Sequence, residues 1–577
     1  MLVLLVLQVV CAGAEAVSLG AVFPFLGALA NASKLLLDSR LKSTLDLFSI
    51  STPIQLITAF AIVFAIAVLV ANLLRLITLY VQTTLSARIG SELSTEVFRR
   101  TLFQPYSFHI THNSNELISG ITLDVNSVAS GLIFSCFSLL TNVLIAIAIV
   151  ISLLAFNVKI TLIAAIAVGG IYLVIMKRTQ KSLLENGRKT SEQSAVLIKA
   201  LQEGLGGIRD VLVDGTQRIF EGAYASADRP FRAAIASNQF IAAAPRYLVE
   251  ALATVSIVGL AVVMALRTEN LDSILPLLGV LALGANRMLP AVQQCFSAIV
   301  SIRGYEASLG KVLVALNRPI DPSWSDTSTD ILPLSRDLIF DRVSFSYSGK
   351  AEDWTLFQIN LVIAANTTIA LVGSTGSGKS TTADLILGLL TPQEGCVYVD
   401  GQPLAGSRLR AWQRSIAHVP QAIYLSDASI AENIAFGIPP ELIDMRRVKE
   451  VAKLAHLDSF IESRPDRYQE IVGERGVRLS GGQRQRIGIA RALYKRPSVI
   501  VFDEATSALD TLTEREVMAA IDDLSHKVTI ILISHRITTV RRADMIYEFS
   551  GGRIVSSGRY EQLIESSDTF RRMASTD

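Results

Sequence analysis

Six apolar runs, at residues 1–30, 54–81, 131–156, 160–176, 248–266 and 271–301, fill the first half of the chain. Each is long enough, or nearly so, for a helix that needs roughly 20 residues to cross hydrocarbon. Lipid offers the backbone no hydrogen bonds, so each run has to satisfy itself as a helix. Half of the 577 residues are hydrophobic and mean hydropathy is +0.44, too apolar for a soluble protein of this size. Orientation follows from the basic residues. The joins between runs two and three and between runs four and five are long, and carry Arg88, Arg99, Arg100, Lys177, Arg178, Lys181, Arg188 and Lys189. The positive-inside bias puts both in the cytoplasm. The joins after runs three and five are short, which gives six spans with both ends inside. "SARIGSELSTEVFRRTLF" and "SEQSAVLIKALQEGLGGIRDVL" then read as polar helices continuing out of the membrane. The expected membrane domain is all-α and covers residues 1–302.

The first run has a competing reading. "MLVLLVLQVVCAGA" resembles a signal-peptide core, but it lacks a basic leader and apolar character resumes after Glu15 in "AVSLGAVFPFLGAL". A retained span is expected, with Glu15 inside it as a buried pairing residue or a substrate contact. Four scattered cysteines form neither a metal pattern nor a disulfide framework, so buried free thiols are expected. A net charge of +2 predicts no nucleic-acid partner.

Beyond residue 302 the texture changes. Residues 303–335, which carry prolines, Ser, Thr and Asp, read as a linker. From 336 to 577 short β-branched runs alternate with helical stretches, the pattern of an α/β domain on a largely parallel sheet. Ligands of such sheets bind at the carboxyl ends of the strands. There stands "GSTGSGKST": Gly373, Ser374, Thr375, Gly376, Ser377, Gly378, Lys379, Ser380 and Thr381. It follows the strand "TIALV" and opens a helix. Its glycines let backbone N–H groups wrap a polyphosphate, Lys379 reaches the β and γ groups, and Ser380 offers a hydroxyl to Mg²⁺. ATP with Mg²⁺ is the expected ligand. Later, "VIVFDE" ends a buried strand in Asp503, placed for the metal shell, and Glu504, placed to polarise a water for attack on the γ-phosphate.

"LSGGQRQRIGIARAL" (479–493) supplies a second anion-binding helix start within one nucleotide domain, which suggests a composite site between two copies. With the other motifs it resembles the ATP-binding cassette family, and the six preceding spans extend the likeness to ABC exporters with fused domains. Further roles follow from that resemblance. Tyr347 looks like the aromatic that stacks on adenine. Gln421 resembles the glutamine that senses Mg²⁺ and the attacking water. Ser480, Gly481, Gly482 and Gln483 would face the γ-phosphate held by the opposite subunit. Asp510 would bridge the two cassettes, and His535 would contact the γ-phosphate. "GERG" (473–476) resembles the exporter segment that meets the coupling helices. Every catalytic position is intact, which favours a homodimer.

An ATPase acting on nucleic acid is excluded by the spans, and an importer is disfavoured because its cassette is normally a separate chain. Export or flipping by alternating access, across a bacterial cytoplasmic membrane, is the expected function. "SLGAVFPFLGAL" and "ANRMLPAVQQ" are loosely similar to bacterial flippases of lipid-linked oligosaccharides. A multidrug or general lipid exporter, or an ATP-gated channel, is the alternative. Substrate candidates are the intramembrane charges Glu15, Arg75, Arg246 and Arg287, since arginine forks suit phosphate oxygens. The competing reading is that the arginines simply snorkel to the inner interface. The turns 104–117 and 214–233 are expected to hold short helices that dock on the cassettes.

Overall fold

The computed structural model describes residues 1–36, 50–155, 158–267, 274–321, 330–349, 353–504, 511–534 and 536–576. They form two compact units. One is Met1–Leu102 with His112–Pro319, and the other is Phe103–Thr111 with Ile320–Asp577.

Among the described residues the first unit's regular structure is all helical. Its helices are α1 (Leu2–Leu36), α2 (Pro53–Leu102), α4 (Ser114–Leu154), α5 (Val158–Gly206), α6 (Ile208–Val213), α7 (Gln217–Arg267), α8 (Ile274–Gly304) and α9 (Glu306–Leu316). Among the described residues five of them, α1, α2, α4, α5 and α7, are long and apolar enough to cross a membrane. The 31-residue α8 lies over the sixth expected run. At 1.5 Å per residue the 50-residue α2 is about 75 Å long, more than twice a hydrocarbon core, so its polar half continues beyond the lipid. There Arg99 and Arg100 both pair with Glu96 along the helix. Residues 306–316, within the segment read as a linker, form α9.

Apolar side chains sort by partner. Leu69, Ile166 and Val255 point outward, whereas Cys11, Leu19 and Val22 of α1 pack on Ile145, Ile149 and Leu153 of α4 and on Met288 and Ala291 of α8. Only Cys11 matches the expectation of buried thiols. Cys295 and Cys396 are half-buried, and Cys136 faces outward because it sits on the apolar side that lipid would solvate. Helix α4 carries two π-helical stretches, Gly120–Asp124 and Ser127–Ile133. A Cβ at Gly131 would collide with the Tyr305 ring, so the wider turn and the missing side chain together admit that aromatic.

The second unit holds the short helix α3 (Tyr106–Thr111) and two sheets. A four-stranded antiparallel sheet has the order β2 (Leu356–Ala364), β1 (Asp337–Phe345), β4 (Glu394–Val399), β5 (Gln402–Pro403). A six-stranded sheet has the order β10 (Arg553–Gly558), β9 (Met545–Ser550), β3 (Thr368–Gly373), β8 (Thr529–Ile533), β7 (Val499–Asp503), β6 (Ile416–Val419). All its pairings except β9–β10 are parallel. The sequence pattern explains both. Strands β3 and β8 are buried at every position and read as continuous apolar runs, as a sheet covered on both faces demands. Strand β2 alternates buried and open positions, as a sheet with one wet face does. The antiparallel sheet was not expected, because a single alternating run does not reveal its partner.

Candidate functional site

The phosphate loop joins β3 to α10 (Lys379–Ile386). Gly373, Gly376 and Gly378 have φ of 143°, 78° and 105°, a region in which side chains are strained. A Cβ at Gly378 would sit 2.5 Å from the Leu356 side chain, and one at Gly373 would clash with the Phe549 carbonyl. The loop is therefore glycine for two reasons, dihedral and space. Lys379, 4% exposed, donates to the carbonyls of Gly373 (2.8 Å) and Ser374 (2.9 Å). Burial holds its ammonium below the usual lysine range, while Glu504 and Asp503 pull it back up. That opposition places a desolvated cation beside two acids, at the mouth of a helix start. Ser374, Thr375, Gly376 and Ser380 are exposed there, while Ser377 is buried. Tyr347 is half exposed, stands edge-on to Phe345 and reaches Thr381 Oγ1 with its hydroxyl at 3.3 Å.

Strand β7 delivers Asp503 and Glu504 two strands away from β3, across β8. Glu504 has φ of 46°, rare for a side-chain-bearing residue, and its N–H donates to the Ile533 carbonyl at 2.9 Å. Strain of this kind persists only where surrounding contacts impose it, and it turns the carboxylate out of the strand line. Gln421, in the loop after β6, donates from Nε2 to Glu504 Oε2 at 2.7 Å. The sequence placed these two residues in one role, and the fold brings them into contact. Asp510 and His535 lie outside the described residues.

Ser480 caps α13 (Gly481–Tyr494) in a capping box: Gln483 N–H donates to Ser480 Oγ at 3.2 Å, and the Gln483 side chain accepts from the Ser480 N–H at 2.9 Å. The Gln483 side chain is thus occupied in shaping the helix start, leaving Ser480 and Gly481 exposed at its mouth. Helix α13 packs on β6, on α11 (Ile430–Ile434) and on α12 (Met445–Leu454). Strand β6 lies three places from β3, roughly 14 Å at the usual spacing, so this helix start stands well aside from its own phosphate loop. One residue escaped the sequence reading. Arg491 donates to the Asn433 carbonyl (2.8 Å) and the Tyr424 carbonyl (2.9 Å) and lies over the Phe436 ring. Burial pushes its guanidinium down to about 10. It ties α13 to the loop that begins at Gln421. The available signal was a cation on the apolar face of "IARAL".

In the first unit, three of the four candidate charges converge. Arg287 on α8 donates to Glu15 on α1 at 3.1 Å, and Arg75 on α2 approaches the other carboxylate oxygen at 3.9 Å. Glu15 is 2% exposed. Arg246 is not brought in: it pairs with Glu250 on its own helix at 3.6 Å, with both side chains open. A second buried acid, Asp124, went unnoticed in the sequence. It accepts from Ser191 (3.1 Å) and Ser308 (2.7 Å), fastening the π-helical stretch to α5 and α9.

A nucleotide-binding α/β unit on the same chain as a set of membrane-crossing helices defines an ATP-driven membrane protein. Residues 1–272 match the family model for the ABC transporter transmembrane region, and residues 356–507 match that for the ABC transporter. An ATP-dependent lipid A-core flippase of Alkalilimnicola ehrlichii is 30% identical over 84% of this chain and 82% of its own, and one of Cupriavidus metallidurans is 31% identical over 84% and 81%. The heterocyst differentiation ATP-binding protein HepA of a Nostoc species is 30% identical over 83% and 77%. The structure of a bacterial Atm1-family ABC exporter with ATP bound superposes with a TM-score of 0.79 at 23% identity, covering 99% of this chain and 97% of the other, which shows the shared fold. The chain belongs to the ABC transporters whose transmembrane and ATP-binding domains are fused. It is a multi-pass membrane ATPase that binds ATP and couples its hydrolysis to transport.

Proposed function

We propose that this transporter is a homodimeric flippase of the bacterial cytoplasmic membrane that moves a lipid or glycolipid with an anionic head group by alternating access. In this reading residues 1–302 carry the substrate, 303–335 connect, and 336–577 form the ATP-binding domain. The loop from Gly373 to Thr381 wraps the phosphates, and Tyr347 stacks on the adenine. Ser380, Gln421 and Asp503 would hold Mg²⁺, which takes hard oxygen ligands and usually keeps waters and substrate phosphates for the rest. The exposed Ser380 hydroxyl and the acid pair ending β7 fit that donor set. Bound there, Mg²⁺ would neutralise charge on the polyphosphate. Glu504 polarises the attacking water and Gln421 orients it, with His535 at the γ-phosphate. Ser480, Gly481, Gly482 and Gln483 close on the partner's nucleotide, a role consistent with their distance from their own phosphate loop, and Asp510 bridges the halves.

Substrate class is supported by the Glu15–Arg75–Arg287 cluster, the observation that carries the lipid reading, because charges inside a membrane bundle usually mark a substrate path. Relatives named lipid A-core flippases point the same way. The test is ATP-dependent translocation of a labelled phosphate-bearing lipid in proteoliposomes. Wild type should move it, while Arg75→Ala, Arg246→Ala and Arg287→Ala combined should lose head-group-dependent stimulation yet keep basal hydrolysis. A triple variant that flips at the wild-type rate makes the arginines mere anchors.

A further inference from the structure

Glu15 is the sole acidic residue in α1, in α2 before Glu92, in α4 beyond Asp124 and in α8. Its carboxylate is sealed at 2% exposure, whereas the Arg75 and Arg287 side chains facing it remain 42% and 27% open. One carboxylate and two guanidiniums leave a surplus positive charge in a low-dielectric bundle. The pairing is also incomplete. Oε2 accepts from Arg287, but Oε1 lacks a hydrogen-bond donor and Arg75 stops at 3.9 Å, beyond hydrogen-bond reach. Each guanidinium carries five N–H groups, and among the described residues these two give only one to the protein as a hydrogen bond. A carboxylate shielded from water yet half satisfied is costly, and two open forks with spare donors suit the oxygens of a phosphate.

Building on the anionic head-group reading, we propose that Glu15 is an internal counter-anion that the substrate's phosphate displaces. Without substrate it holds Arg75 and Arg287 together across three helices. By subtracting one charge it sets a threshold: a phosphodiester, with one negative charge, competes poorly, while a phosphomonoester or pyrophosphate wins the guanidiniums. Displacement strands a buried carboxylate without its cations, a state that burial strongly disfavours. Helix α1 then has to shift, so arrival of the head group is felt by the helix that holds Glu15.

The experiment uses the full chain in phosphatidylcholine vesicles doped with phosphatidic acid, a phosphomonoester, or phosphatidylglycerol, a phosphodiester, and reads ATPase stimulation against mole fraction. Glu15→Gln should lower the half-stimulating fraction of phosphatidic acid about tenfold, reduce the preference over phosphatidylglycerol to about twofold or less, and lower maximal turnover through slow release. A carboxylate that merely tethers the arginines predicts the opposite, a raised half-stimulating fraction with the preference intact, and that result overturns the proposal. Should Glu15→Gln fail to fold, Glu15→Asp, with a shorter reach to Arg287, is expected to lower the fraction by a smaller factor, and a rise is again fatal. Soluble pyrophosphate separates the sources. Stimulation equal to that by phosphatidic acid keeps the counter-anion role with a free anion as ligand, while stimulation by the lipid alone assigns the head group. Loss of stimulation in Arg287→Ala beside an unchanged Glu15→Gln sinks the counter-anion role and leaves the arginine reading standing. A wild type that responds to no anion sinks both.

Discussion

The two units solve the problem of handling phosphate in opposite ways. In the cassette the recognising groups are contiguous: nine residues from Gly373 to Thr381 make a nest of backbone N–H groups on a helix start, and only one side chain, Lys379, is a cation there. In the membrane unit the candidate groups come singly from α1, α2 and α8, brought together across sequence separations that no local pattern encodes. A backbone nest depends on dihedrals, so it demands specific residues in a row. A side-chain cluster depends on packing, so it leaves only isolated charges in apolar runs as its trace.

The sharpest way to break this contrast is at Glu504. If the cassette's chemistry is as local as its motif, Glu504→Gln should bind MgATP normally and hydrolyse it about 10²–10⁴-fold more slowly, since general-base assistance contributes that much. The variant should accumulate as a closed dimer, visible by size and by trapped nucleotide. Turnover near wild type would take Glu504 out of the role and transfer attention to its 2.7 Å partner Gln421.

That contrast also fixes how much was legible. The nucleotide loop, the acid pair and the anion-binding helix start at Ser480 could be read directly, because each is a short segment whose backbone geometry dictates its residues. The long helices were equally legible, since lipid forces apolar runs into helices. What could not be read was partnership. In sequence Glu15 reads as either a pairing residue or a substrate contact, and Arg75 and Arg287 as phosphate forks or snorkelling anchors, yet only the fold shows them sharing one carboxylate. Arg246 has a similar sequence setting but pairs locally with Glu250. The π-helical stretches and the Asp124 network left no sequence signal either, because Ser191, Ser308 and Asp124 are ordinary surface residue types until three helices bury them.

Coupling provides a middle-sized test. The turn 104–117 was expected to place a short helix on the cassette, and α3 does belong to the second unit, with Tyr106 beside Asp384 and Tyr347 and its hydroxyl pushed up by burial. The turn 214–233 was expected to behave alike, but from Gln217 on it is the first part of the long α7, within the first unit. Tyr106→Ala should therefore leave nucleotide affinity and basal ATPase within about twofold while substrate stimulation falls several-fold, as expected when a contact transmits rather than catalyses. Equal loss of stimulation from Tyr106→Ala and from Phe220→Ala in the second turn would show that both turns transmit, and would erase the difference between them.

The smallest expected effect probes whether the cassette stores unfavourable charge beside its nucleotide loop. Asp384 sits on α10, and burial, with Asp503 adding to it, raises its carboxyl from the ordinary 3.8 to about 6. Such a shift corresponds to at most about 3 kcal/mol, less after solvent screening of a half-buried group. The sign follows from linkage. A carboxyl with a raised folded-state value costs the fold its ionisation, so the associated stability is present below about 4, is lost as pH rises towards about 6, and stays lost above it. Asn cannot ionise. Asp384→Asn should therefore unfold a few degrees higher than wild type at pH 8, and the two melting curves should converge near pH 4. Melting without nucleotide or Mg²⁺ is the right measurement, since a cation at Asp503 would offset the repulsion that helps raise Asp384. A variant less stable than wild type at pH 8 would mean that the ionised carboxylate is wanted there, as an acceptor or as a countercharge to Lys379, and that the cassette tolerates no surplus charge of the kind the membrane cluster carries.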